Sequence, residues 1–199
     1  ARFSERYELM QSWDGYMGNF AFLWGFKQER TPTWFSITVE DDSSSGRPDF
    51  LNGEFTGIAD ALETKWRGSP PTNLAPDFTA IRINGDGPTS NVVLTGGTSA
   101  FAEVELETYG ETDAITYYWE LVQEINPALY GLGGSAEPRP ETHTVFGPFS
   151  EPTLTFTVPT DTSGSYNSEY RLFAYGFDAA DADGQSRVAT ANIPIRIEP

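Results

Sequence analysis

The sequence predicts a mainly β chain: an immunoglobulin-like antiparallel β-sandwich preceded by a short α/β segment. Three observations carry that prediction. From Asn73 onward apolar residues recur with a period of two, the signature of strands with one face in a core. Clusters of Gly, Pro, Asp and Asn interrupt this pattern often enough to leave about seven short strands, as a sandwich requires. The Pro-rich stretch Ser69-Pro70-Pro71-Thr72-Asn73 marks the change of period and divides residues 1–74 from residues 75–199.

In the first part, Phe3, Tyr7 and Met10 recur at helical spacing while Ser4, Glu5 and Glu8 occupy other faces, so residues 2–13 read as an amphipathic helix stopped by Asp14-Gly15. Residues 17–25 (MGNFAFLWG) are apolar nearly throughout, as a strand buried on both faces is. A polar stretch at 27–32, Trp34-Phe35 and a Ser/Asp/Gly-rich loop at 41–49 follow. Phe55, Ile58, Ala59, Leu62 and Trp66 then return to helical spacing, with Lys65 and Arg67 in the last turn and Gly68 as the stop.

In the second part, strands read at 78–83, 92–94, around Val104 and Leu106, at 115–121, 153–158, 170–177 and 189–197. Ile115, Tyr117, Trp119 and Leu121 alternate with Thr116, Tyr118 and Glu120, which places Trp119 in the core and Glu120 toward solvent. Strand 170–177 differs: Leu172 and Ala174 on one face oppose Phe173, Tyr175 and Phe177 on the other. Its outer stripe is expected either to pack against the first part or to bind sugar.

Composition narrows the function. The chain has 199 residues, 38% of them hydrophobic and 14% aromatic, which suffices for a core. Its net charge is -17, with 11 acids against 7 bases in residues 1–74 and 18 against 5 in residues 75–199. Nucleic acid and anionic membrane surfaces would be repelled. The absence of Cys removes disulfides and thiolate catalysis, and a lone His143 makes a Ser/His/Asp triad a poor fit. No apolar run approaches the roughly 20 residues that span a bilayer. The chain opens without Met on ARFSERYELMQSW, as a piece of a longer polypeptide would.

The run from Gly18 to Phe35 (GNFAFLWGFKQERTPTWF), with Thr64-Lys65-Trp66-Arg67-Gly68 and Asn73-Leu74-Ala75-Pro76, resembles the C-terminal end of secreted bacterial proteins. In these a glycoside-hydrolase-type TIM barrel (family 2-like) precedes an immunoglobulin-like or PKD-like module. Tyr170-Arg171-Leu172-Phe173-Ala174-Tyr175 and Ala191-Asn192-Ile193-Pro194 resemble the end of that module. The resemblance implies that residues 17–25 are the last barrel strand and residues 54–67 its helix. It also implies that the catalytic carboxylates precede Ala1, that Trp24 is a sugar-stacking floor, and that the protein is secreted or extracellular/periplasmic.

Candidate site residues follow, each beside a plainer reading. Trp24 and Trp34 are substrate-binding candidates because an indole face offers a polarizable apolar platform to a pyranose, and core packing is the alternative. Glu29 beside Arg30 reads as an acid with a tuning cation or as a surface ion pair. Asp178, Asp181 and Asp183 with Gly184 bring oxygen ligands together as calcium loops do, against a turn that simply favours Asp. No other cofactor is implied. Three functional classes compete: a fragment of a polysaccharide-processing enzyme, a carbohydrate-binding or adhesion module, and a structural subunit of an extracellular assembly. The expected partners are a polysaccharide or oligosaccharide, and either the remainder of a barrel or another copy of the chain. The first 74 residues are expected to bury Phe20, Phe22 and Leu23, with the stripe of Phe173 and Tyr175 as the surface for docking onto the sandwich.

Overall fold

A computed structural model describes residues 2–18, 37–39, 50–109, 115–124, 142–160, 168–178 and 186–199. Two helices, α1 (Arg2–Gln11) and α2 (Gly57–Arg67), precede eight strands. These are β1 (Asp77–Ile83), β2 (Val92–Thr95), β3 (Ser99–Glu107), β4 (Thr116–Gln123), β5 (Thr142–Phe149), β6 (Thr153–Thr157), β7 (Glu169–Asp178) and β8 (Arg187–Glu198). They form a three-stranded sheet, β1-β3-β6, and a five-stranded sheet, β2-β8-β7-β4-β5. The fold is mainly β and two-layered, a β-sandwich.

The layers meet through the residues that the period-two pattern turns inward. Ile81, Ala102 and Phe156 of the small sheet share one buried cluster with Trp119, Leu172 and Ile193 of the large one. Trp119 is fully buried, and its indole N–H has no hydrogen-bond partner among the described residues. Opposite it in chain direction, β7 admits Gly176 at a point of close approach: a Cβ there would stand 2.9 Å from Cζ of Phe78. Only a residue without a side chain lets that ring reach the sheet.

Four expectations are corrected. The sheets hold eight strands among the described residues, since β5, with Gly147 and Pro148 inside it, lacks the alternation that marks the others; it lies at a sheet edge and carries His143. The sandwich is not wholly antiparallel, because β2 runs parallel to β8 from Val92↔Ile195 to Thr95↔Glu198. Glu120 does not face solvent; it is fully buried, because the outer face of its sheet is covered. The second helix begins at Gly57 behind the N-cap Thr56, so Phe55 lies before it, and Trp66 points to solvent rather than to an apolar seam. Gly68 ends α2 in the left-handed region (φ 78°) that favours Gly.

Of the expected apolar strand at 17–25, Met17 and Gly18 are described, and Met17 is fully exposed in no strand. Residues 19–36, with Phe20, Phe22 and Leu23, lie outside the described residues. What the first part does contribute is a cover for the large sheet. Phe55 bridges Arg187 of β8 in parallel and Thr38 in antiparallel. Four backbone bonds hold this addition: Val39 N–H to Glu54 O (2.9 Å), Thr56 N–H to Ile37 O (3.0 Å), Phe55 N–H to Ser186 O (3.3 Å) and Val188 N–H to Phe55 O (3.0 Å). No helix among the described residues is long and apolar enough to cross a membrane.

Candidate functional site

The outer face of the five-stranded sheet concentrates the unusual chemistry. Alternation along β4 and β7 sends Tyr118, Glu120 and Val122, and Phe173, Tyr175 and Phe177, to the side away from the inter-sheet core. Pairing sets Glu120 opposite Phe173 and Tyr118 opposite Tyr175, so Glu120 and Tyr175 are diagonal neighbours. The Tyr175 hydroxyl donates to Glu120 Oε2 at 2.9 Å, with both residues fully buried. A buried carboxylate is retained only where donors meet it, and the phenol is one of them.

The cover comes from the segment before α2. Val39 and Leu51, both with no exposed surface, join Val122, Phe173, Tyr175 and Val188 in a second apolar cluster. Phe50 stacks on Tyr118 with centroids 4.5 Å apart and planes 9° from parallel, and meets Tyr175 edge-on at 5.3 Å. Glu54 shapes the turn that delivers these side chains, accepting the Asn52 N–H at 3.0 Å. The stripe of Phe173 and Tyr175 is therefore packed against the first part, which removes it as an open sugar platform.

A second polar junction locks the cover from beside the sheet. Asp60 of α2 and Arg187 at the start of β8 are both buried, with Arg187 Nε 3.3 Å from Asp60 Oδ1. That approach is an ion pair without hydrogen-bond geometry, and Oδ1 has no hydrogen bond. Oδ2 accepts the Ala75 N–H at 2.5 Å, Arg187 Nε donates to Asn73 O at 3.2 Å, and the guanidinium lies 5.4 Å from the Phe55 ring centroid. Burial pushes the Asp60 carboxyl above its ordinary value, outweighing the Ala75 N–H and the Arg187 charge, which lower it; Glu63 adds a smaller upward push. Contacts thus cross the joint at 69–73 from α2, from residues 73–75 and from Phe55.

The predicted site residues are distributed as follows. Trp24, Trp34, Glu29, Asp181 and Asp183 lie outside the described residues. Asp178 ends β7, buried, and faces Arg187 across the β7–β8 pair. A guanidinium is therefore its register neighbour. Among the described residues no group of three His, Cys, Asp or Glu is placed to hold a metal ion.

No protein-family model matches the chain, and no curated protein does. Among solved structures it is similar to a Niemann-Pick type C2 protein from the Japanese carpenter ant, at 9% identity over 63% of this chain and 95% of that one, with a TM-score of 0.36. It is also similar to a cohesin module of a family 33 glycoside hydrolase from Clostridium perfringens (14% identity, 62% and 98% covered, TM-score 0.30). A third is the CARDB domain of a Pyrococcus furiosus protein in complex with di-metal ions (15% identity, 64% and 94% covered, TM-score 0.25). With every TM-score below 0.5, these likenesses carry no argument, and the sandwich rests on its own two sheets.

Sequence reasoning missed Glu120, Asp60 and Arg187. For Glu120 a signal was present: its same-face neighbours Tyr118 and Val122 are apolar, so that face of β4 also reads as buried. For Asp60 and Arg187 no local pattern exists, because they are 127 positions apart and meet only in the fold.

Proposed function

We propose that this chain is a non-catalytic accessory module of an extracellular carbohydrate-active protein, its sandwich held as one body with the segment before it. The observation that supports the non-catalytic reading is how the buried carboxylates are used. Glu120 and Asp60 hold internal partners, a phenol in one case and an amide and a guanidinium in the other. A glycosidase instead sets two carboxyl groups across an open cleft, about 5 to 9.5 Å apart. The carbohydrate-active parent and the extracellular setting come from the resemblance of residues 18–35, 64–68 and 73–76 to the end of a glycoside-hydrolase barrel, with the acidic, Cys-free composition in keeping.

The alternative, a structural or adhesion subunit, is favoured by the interlocking of residues 37–39 and 50–75 with the large sheet, which makes a stiff unit suited to a stalk. The test is co-sedimentation of the purified chain with a panel of neutral polysaccharides, with reducing ends assayed in parallel. Retention without release is expected. Release above background that is lost in Glu29→Gln would make the chain an enzyme, and retention on no polymer would favour the structural subunit.

A further inference from the structure

The two sheets differ in width, three strands against five. β1 lies against β8, so β3 and β6 face β7 and β4, and β5 projects past β6. Cross-strand partners share a face, and Tyr117 and Trp119, the partners of Phe149 and Phe146, belong to the inter-sheet core. Phe146 and Phe149 therefore point toward the place where a further strand beside β6 would lie. Neither is fully covered: Phe149 is 38% exposed, and Phe146, which meets the Phe156 ring at 6.0 Å, is half-buried.

β6 also presents the backbone groups that such a strand needs. The bonds from Val158 N–H to Thr98 O (2.9 Å) and from Val104 N–H to Pro152 O (3.0 Å) fix its register with β3. Leu154 and Phe156 accordingly turn their N–H and C=O groups toward β3, while Thr153, Thr155 and Thr157 turn theirs to the open edge. Thr155 and Thr157 are exposed. The other described edges are blunted, as natural sheets blunt them. Pairing is irregular in β1 and β5, and β5 holds Pro148. In β2 the Thr95 carbonyl already accepts the Thr98 N–H (3.3 Å) and the Thr98 hydroxyl (2.6 Å). β6, five residues without Pro, charge or irregular pairing, is the edge left intact.

We propose that the β6 edge binds an extended segment of a partner protein, which adds as a further strand of the small sheet and closes over Phe146 and Phe149; this goes beyond the accessory-module reading and does not depend on its carbohydrate. The backbone selects the class of ligand. The N–H and C=O groups of Thr153, Thr155 and Thr157, repeating at strand spacing, are matched by another extended main chain. The two faces select its side chains: apolar residues on the side that covers Phe146 and Phe149, and small polar ones beside the threonines. Charge requires a neutral or basic segment, since the chain carries -17. A second copy has the wrong shape as well as the wrong charge. Antiparallel pairing of β6 with β6 about a two-fold axis would drive the copy's large sheet into the projecting β5.

The experiment titrates the full chain with the synthetic peptide Lys-Val-Thr-Val-Thr-Val-Lys, blocked at both ends, and follows single-amide hydrogen exchange together with the anisotropy of a labelled copy of the peptide. In the free chain the amides of Thr153, Thr155 and Thr157 are expected to exchange fast, while those of Leu154 and Phe156, bonded to β3, exchange slowly. The peptide should slow the threonine amides at least about tenfold. Thr155→Pro removes an outward N–H at an edge position that tolerates Pro, so it should weaken binding at least about tenfold and leave the melting temperature nearly unchanged. Should that variant lose its fold, Phe149→Ser, at a side chain already part-exposed, carries the same test with an expected loss of about threefold. Val145→Ser, on the opposite face of β5, should bind as the native chain does. Slow threonine exchange in the free monomer would show the edge already covered and overturn the proposal. Peptide protection on β5 or β2 in place of β6, or binding that both Thr155→Pro and Phe149→Ser leave intact, would overturn the site. A dimer in sedimentation with those amides protected would make the occupant a second copy, and no binding of the peptide would overturn strand addition itself.

Discussion

Replacing Arg187 with Met tests the junction that locks the N-terminal cover to the sandwich. The substitution keeps an unbranched stem of comparable reach but removes the cation 3.3 Å from Asp60 Oδ1, the donor to Asn73 O and the charge over Phe55. At an effective dielectric of about 20 the Coulomb attraction at that distance is on the order of 5 kcal/mol, partly offset by the desolvation of both groups. Leaving Asp60 buried with the Ala75 N–H but without its counter-charge is expected to cost about 3 to 5 kcal/mol near pH 7. The sign of the pH dependence is fixed. Asp60 already sits above its ordinary value through burial, and losing Arg187 removes an influence that lowers it. A carboxyl raised in the folded state contributes stability that is fully present below its unfolded value and is lost as pH rises through its folded value. The deficit of the variant is therefore expected to shrink as pH falls and Asp60, held above its ordinary value, takes up its proton. Urea unfolding followed by tryptophan fluorescence at several pH values measures this. A deficit under about 1 kcal/mol, or one that does not change with pH, would refute the reasoning.

Three further outcomes are expected. Tyr175→Phe removes one donor to buried Glu120 and should cost about 1 to 3 kcal/mol, and a neutral result in thermal unfolding would mean that the bond is not made. Trp119→Ala should cost about 3 to 5 kcal/mol from the cavity, while Trp119→Phe, which also deletes an indole N–H without a partner among the described residues, should cost less than half as much; equal losses in chemical denaturation would contradict that account. Gly176→Ala puts a Cβ 2.9 Å from Phe78 Cζ, so a loss of about 1 to 3 kcal/mol is expected, and Phe78→Ala in the same chain should relieve part of it; additive losses would show that the contact is not the cause.

The sandwich was legible where one face of a strand is wet. β3 and β6 alternate cleanly and β1 does so from Ile81 on, past an irregularity in its pairing between Phe78 and Ala80; the inner residues Ile81, Val104 and Phe156 are buried as the pattern requires. It was less legible where both faces are covered: β4 reads as half-polar because Glu120 is charged, yet a phenol holds that charge under the cover. β5 escaped because Gly147 and Pro148 read as turn residues, although an edge strand accommodates Pro at little cost. The parallel pairing of β2 with β8 was not legible at all, since strand direction depends on connections and not on local pattern. The cover was foreseen from one side only. Phe173, Tyr175 and Phe177 announced a face in need of burial, while the residues that bury it, Val39, Phe50 and Leu51, sit in segments with no period to mark them.

The central claim is that residues 37–39 and 50–56 are built into the large sheet and close its aromatic face. Hydrogen exchange at single amides tests it most directly. Val39, Phe55, Thr56 and Val188 donate the four bonds that join the segment to itself and to β8. Slow exchange at all four, comparable to that of Trp119 in the central strand β4, is the expected result. Exchange at Val39, Phe55 and Thr56 as fast as in an open chain, with Trp119 still protected, would show that the face beneath is open and would contradict the account.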